Sequence, residues 1–115
     1  MDREERLNAL ITELRRGTLT LTVLGALKHE HYGYSLLQFL QSRDINLEAN
    51  TLYPMLRRLE EQGLLASRWD TSANRPRKYY ILSKEGYSVY LELLSEWKRM
   101  QRSLYSICEG DLNYE

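Results

Sequence analysis

A chain of 115 residues is long enough for one domain with a modest core and too short for two independent ones. Hydrophobic residues at 43% and charged residues at 28% are ordinary for a folded globular chain and exclude intrinsic disorder. Sixteen basic and sixteen acidic residues cancel, so net charge makes no case for nucleic acid, and with no signal-like or bilayer-length apolar run the expectation is a cytoplasmic protein away from membranes.

In chain order, Leu7, Leu10, Ile11 and Leu14 come first, spaced i, i+3, i+4, i+7. That period predicts a helix with one narrow apolar stripe, which needs a partner to cover it. Gly17 and Thr18 break the pattern, and Leu19 to Leu27 is apolar enough to belong in the core. A polar turn, His29-Glu30-His31, and Gly33 lead into a third helix with Leu36, Leu37 and Leu40 facing inward and Ile45 or Leu47 closing its far end. Tyr34 and Ser35 open that helix, where free backbone amides suit a phosphate; core packing is the competing reading of Tyr34.

The stretch Asn50 to Gly63 is the most informative. At about 100° per residue, Leu52, Met55, Leu56 and Leu59 form one stripe, while Asn50, Tyr53, Pro54 and Arg57 lie opposite. Asn50 is taken as the N-cap, which puts Pro54 at the fourth helical position, and Gly63 as the stop, because it tolerates positive φ. Leu65 to Trp69 and Lys78 to Leu82 read as two strands joined by a Ser-, Asn- and Pro-containing loop, Asp70 to Arg77. Helix followed by ribbon in this order predicts a winged helix. Ser83 caps a last helix of roughly six or more turns, whose inward positions include Tyr87, Tyr90, Leu91, Leu94, Trp97, Leu104 and Ile107. The fold expected is therefore mainly α with a small β-hairpin: a winged helix-turn-helix with extra N-terminal and C-terminal dimerisation helices. Its boundaries are 1–16 for the N-terminal helix, 17–83 for the DNA-binding unit, and 84–115 for the C-terminal helix and an acidic tail.

Between Arg57 and Lys84 seven basic residues face three acidic ones, a local excess on a neutral chain. A helix in the major groove reads bases through Asn and Arg, with Thr and Tyr reaching phosphates or a thymine methyl. Asn50, Thr51, Tyr53, Pro54 and Arg57 sit on the face that would do this. Arg75, Arg77 and Lys78 in the ribbon would supply salt-dependent backbone contacts, their presentation stiffened by Pro76. Arg58, at the edge of the face, has Glu61 three residues on as an alternative partner. Two apolar surpluses, Leu7, Leu10, Ile11 and Leu14 in front and Tyr90, Leu94, Trp97, Leu104 and Ile107 behind, predict a homodimer. Cys108, the lone cysteine, is expected to pack there and cannot form an internal disulfide. A two-fold dimer would bind double-stranded DNA at a palindromic operator.

Two other classes compete. An enzyme or metal site at His29-Glu30-His31 lacks the i, i+4 histidine spacing and a third ligand, so neither catalysis nor a cofactor is expected. A winged helix used only for protein contacts would have no need of Asn50, Tyr53, Arg57 and an Arg-rich ribbon on one side.

Three motifs in order, Tyr32-Gly33-Tyr34-Ser35-Leu36-Leu37, then Asn50-Thr51-Leu52-Tyr53-Pro54-Met55-Leu56-Arg57-Arg58-Leu59-Glu60-Glu61-Gln62-Gly63-Leu64, then Arg77-Lys78-Tyr79-Tyr80 with Ser83-Lys84-Glu85-Gly86, resemble the PadR family of bacterial transcriptional regulators from about Gly17 to Gly86. One helix after Gly86 matches that family's compact branch. The resemblance implies a homodimeric winged helix-turn-helix repressor whose DNA-docking helix corresponds to Asn50 to Gly63. It also implies a role for Trp97, which matches a tryptophan that stacks on flat aromatic effectors at the dimer centre of drug-sensing members; an interface anchor is the plainer reading of the same residue.

Overall fold

A computed structural model describes residues 1–110; the acidic tail beyond lies outside the described residues. The order is α1 (Arg3–Arg16), α2 (Leu19–Ala26), β1 (His31–Tyr32), α3 (Gly33–Gln41), α4 (Ala49–Glu61), β2 (Leu65–Asp70), β3 (Arg77–Leu82) and α5 (Lys84–Cys108). The three strands form an antiparallel sheet in the order β1-β3-β2. The hairpin is therefore wider than expected. His31, expected to end a polar turn, and Tyr32 after it pair with Tyr80 and Tyr79 of β3. A two-residue strand whose partner lies some fifty residues on has no local pattern to betray it.

Val23, Leu24 and Leu27 at the end of α2, Leu36 and Leu40 of α3, and Leu52, Leu56 and Leu59 of α4 make the core. Leu65, Tyr80 and Tyr90 close it from the sheet and from α5. Backbone bonds tie the layers: the Leu82 amide donates to the Leu27 carbonyl at 2.9 Å and the Ser83 amide to the Leu64 carbonyl at 3.0 Å.

Helix ends follow their capping residues. Asp2 accepts from the Glu5 amide at 2.8 Å while Glu5 reaches back to the Asp2 amide, a reciprocal box that starts α1. Arg15 and Arg16 at its far end suit the negative pole. At the end of α4 the Gly63 amide bonds the Glu60 carbonyl and the Leu64 amide the Leu59 carbonyl, with Gly63 at φ 79°, the paired closure that a left-handed residue permits. Ser83 caps α5 by accepting from the Gly86 amide at 2.9 Å. Asn50 is not a cap. Glu48 holds that place, Asn50 lies inside the first turn, and Pro54 moves to the sixth helical position. Its missing N–H leaves the Asn50 carbonyl without its helical partner, on the exposed side where water can take it.

A radius of gyration of 17.5 Å exceeds the roughly 13 Å of a compact domain of about 100 residues, because α1 and the far half of α5 project from the core. α1 buries no residue at all. Tyr90 is different. Expected to be covered by a second copy of the chain, it is only 8% exposed within a single chain, its ring lying against Gly25 of α2, where an added Cβ would stand 3.3 Å from Tyr90 Cε1. Leu94 packs against the same core. A continuous apolar stripe on α5 cannot reveal which part is claimed by the chain's own core; the missing side chain on α2 decides it.

Candidate nucleic-acid interface

α4 puts Leu52, Met55, Leu56 and Leu59 inside, and Asn50, Thr51, Tyr53, Pro54, Arg57 and Arg58 outside. Arg57 takes part in no ion pair among the described residues, and Arg58 does not pair with Glu61. Tyr53 lies over the start of α3: a Cβ on Gly33 would fall 2.6 Å from Tyr53 Cε1, so the absent side chain lets the two helices meet closely here. Tyr34 points outward, 57% exposed, which removes the core reading. The Ser35 hydroxyl is already engaged, accepting from the Tyr32 amide at 3.1 Å and standing 3.0 Å from both the Tyr32 carbonyl oxygen and His31 Nδ1. Burial, with the His29 charge secondary, lowers the His31 pKa and favours the neutral ring.

The ribbon is braced on both faces. Residues 65, 67 and 69 share the side facing α4 with their register partners Leu82, Tyr80 and Lys78. There Glu60, at the end of α4, accepts from Lys78 Nζ at 2.9 Å and from the Ser67 hydroxyl. The Ser67 hydrogen bond and then Lys78 hold the Glu60 carboxyl below its usual range, and Glu60 in turn raises Lys78. On the opposite side Arg68 forms a two-pronged pair with Glu30 at 2.6 and 2.7 Å and lies 4.7 Å from the centre of the Tyr79 ring. Arg77 stands 4.4 Å from the centre of Tyr32. The basic residues of the ribbon are thus unequal: Lys78 and Arg68 brace, Arg77 stacks, and Arg75 sits exposed in the loop.

Between α4 and the ribbon runs an open cleft of about 420 Å³. Arg57, Arg75, Arg77 and Lys78 line it, with Tyr34, Tyr53 and Trp69, and no acidic residue does. Sequence reasoning missed Trp69 as part of this surface and the Glu60–Lys78–Ser67 brace beneath it. The alternation Leu65, Ser67, Trp69 contained the signal for the first; the second joins residues far apart in the chain and left none.

A family model for the transcriptional regulator PadR-like family matches residues 21–92, from α2 into the first turns of α5. The chain belongs to the PadR-like family. Among solved structures it is similar to a PadR family transcriptional regulator from Eggerthella lenta, 43% identical, with a TM-score of 0.88 over 92% of this chain and 95% of that one. A PadR-like transcription factor from Bacteroides fragilis is 31% identical, with a TM-score of 0.74 over 87% of this chain and 99% of that one. A curated plant protein, the phosphatidylinositol/phosphatidylcholine transfer protein SFH13 of Arabidopsis thaliana, is 32% identical over 104 residues; the match covers 82% of this chain but only 16% of that much longer protein. PadR-like regulators are DNA-binding proteins without enzymatic activity, and this one has their winged-helix fold.

Away from the cleft, Leu7, Leu10 and Leu14 of α1 and Trp97, Leu104 and Ile107 of α5 are exposed, with Leu14 at 75%. Cys108 is a free, exposed thiol at the end of α5. Trp97, 37% exposed, borders a second, apolar cavity of about 530 Å³ with Leu14, Leu21, Leu93, Met100 and Leu104. Within His29-Glu30-His31, Glu30 is committed to Arg68, and His31 lies against Ser35. No helix among the described residues is long and apolar enough to cross a membrane.

Proposed function

We propose that this PadR-like regulator is a homodimeric repressor that binds a palindromic operator and is released by a flat aromatic effector. Residues 1–16 and the helix within 84–115 dimerise, and 17–83 form the DNA-binding unit. The observation that carries the reading is the cleft between α4 and the ribbon: on a chain with no net charge, its lining holds Arg57, Arg75 and Arg77 and no acidic residue, while Lys78 beside them is paired with Glu60. A duplex backbone is the partner such a surface complements. Asn50, Thr51, Tyr53, Pro54 and Arg57 enter the major groove, Tyr34 and Ser35 at the start of α3 lie beside a phosphate, and Arg75 and Arg77 approach the backbone next to it. Lys78 contributes by holding the ribbon in place through Glu60.

The faces of α1 and α5 support the dimer, because large apolar side chains left in water are an association hazard unless a second copy covers them. Each such side chain, once buried, contributes about 1.5 to 3 kcal/mol, so a few per protomer outweigh the freedom lost on pairing. Leu7, Leu10, Ile11 and Leu14 would meet Trp97, Leu104, Ile107 and Cys108 of the partner. The Trp97 cavity has the size and apolar lining of a small-molecule site. A ligand there can reach the DNA face through α5, whose first turn rests on the turn that joins α4 to β2: Gly86 approaches the Leu64 carbonyl so closely that a Cβ would stand 1.9 Å from it. A coupling of about 1 to 3 kcal/mol suffices for release.

Selecting duplexes from a random pool and titrating Arg57→Ala against the selected sequence tests the reading helix. The variant should stay dimeric and lose about tenfold or more in affinity for that sequence, within the range of one base contact. Unchanged affinity would refute the role of α4.

A further inference from the structure

Trp69 stands out once the ribbon's two faces are separated. It shares the α4 side with Leu65 and Ser67, the first buried and the second engaged with Glu60, yet Trp69 itself is 63% exposed beyond the edge of the core. Its register partner is Lys78, and it borders the acid-free cleft directly. Tyr34, also largely exposed, lines the same cleft. With Arg57, Arg75 and Arg77 among the lining, the surface is mixed: flat apolar faces for sugars, guanidinium groups for phosphates.

We propose that Trp69 is a direct DNA-contact residue, its exposed indole packing on one strand of the duplex backbone between the reading helix and the ribbon. The phosphates face Arg57, Arg75 and Arg77, a deoxyribose lies against the indole, and the indole N–H, which has no hydrogen-bond partner among the described residues, donates to a phosphate oxygen. Charge complementarity commits the cleft to this occupant, since every charged group lining it is a cation. The inference rests on the DNA-binding reading above and adds contacts that the basic residues alone would not provide.

The test uses the full chain labelled with 5-fluorotryptophan and a duplex selected from a random pool by binding. Two tryptophans give two 19F resonances, assigned with Trp69→Phe. Saturating duplex should shift the Trp69 resonance, and Trp69→Ala should lower affinity about tenfold, equivalent to about 1.4 kcal/mol. Trp69→Phe should recover most of it. The exposure of Trp69 means that Trp69→Ala should melt close to the parent, so lost affinity is not lost fold. An unmoved Trp69 resonance, or unaltered affinity of Trp69→Ala, with duplex still bound overturns the inference and leaves the DNA-binding reading standing. No duplex retained from the pool overturns both. A Trp69 shift driven by protein concentration alone would assign the cleft to a second copy of the chain and also overturn it.

Discussion

Lys78 Nζ lies 2.9 Å from Glu60 Oε1, so the ribbon and the reading helix are joined by an ion pair rather than only by the core beneath them. Ser67 shares the same carboxylate. Glu60 therefore acts as a positioning residue, since it touches neither the outer face of α4 nor the loop of the ribbon. Glu60→Gln should keep the dimer and weaken DNA binding about three- to tenfold, equivalent to about 0.7 to 1.4 kcal/mol. The salt dependence should scarcely change, because no phosphate contact is lost. Affinity measured at several salt concentrations checks this; a slope reduced as much as by Arg75→Ala would mean that Glu60 had been holding Lys78 on a phosphate.

Gly86→Ala should be among the most damaging single substitutions. Its Cβ would come within 1.9 Å of the Leu64 carbonyl oxygen, a backbone atom that cannot swing aside. A loss of about 2 kcal/mol or more is expected from the forced shift. Gly63→Ala meets no neighbour but keeps φ at 79°, so its cost should be about 1 to 2 kcal/mol, from backbone strain alone. Denaturant melts of the two variants side by side give the ranking; equal stability would contradict the close approach.

Acid should weaken the fold through His31. Its folded pKa lies below the ordinary imidazole value because burial disfavours the charged ring. The resulting stability is fully present above the ordinary value and is lost as pH falls through that value toward the depressed one. Thermal melts between pH 7.5 and 5 should therefore show a falling midpoint, and His31→Phe should flatten the curve over that roughly 2.5-unit span. Glu60 follows with the same sign at lower pH, since its carboxyl is also held below the ordinary range. A midpoint independent of pH in the parent would remove His31 from this account.

Tyr90 and Leu104 should behave in opposite ways. Tyr90→Ala opens a hole against Gly25 inside one chain and should cost about 3 kcal/mol or more of stability. Leu104→Glu changes an exposed position and should leave each chain folded while weakening association. Sedimentation and melting of both variants separate the two effects. A Leu104→Glu protein that stays dimeric at micromolar concentration would move the interface elsewhere.

What the sequence reveals follows from the range of each interaction. The face of α4, the stop at Gly63, the cap at Ser83 and the two long strands rest on spacings of four residues or fewer, and all are legible. The N-terminus of α4 was less so, because Asn50 is a strong capping residue by chemistry and the chain uses Glu48 instead. β1, the Tyr90–Gly25 contact and the Glu60–Lys78 pair depend on segments that meet only after folding. The exposed cluster of Arg57, Arg75 and Trp69 belongs to the same class: its members look unrelated until the ribbon folds back beside α4.

The central claim is that two copies of this chain present two reading helices to successive turns of one duplex, about 34 Å apart. Sedimentation of the protein with a duplex selected from a random pool, at increasing protein, tests it most directly. The account predicts a complex of two chains on one duplex carrying inverted half-sites, formed in preference to scrambled DNA. One chain per duplex, or the same affinity for scrambled DNA, would contradict it.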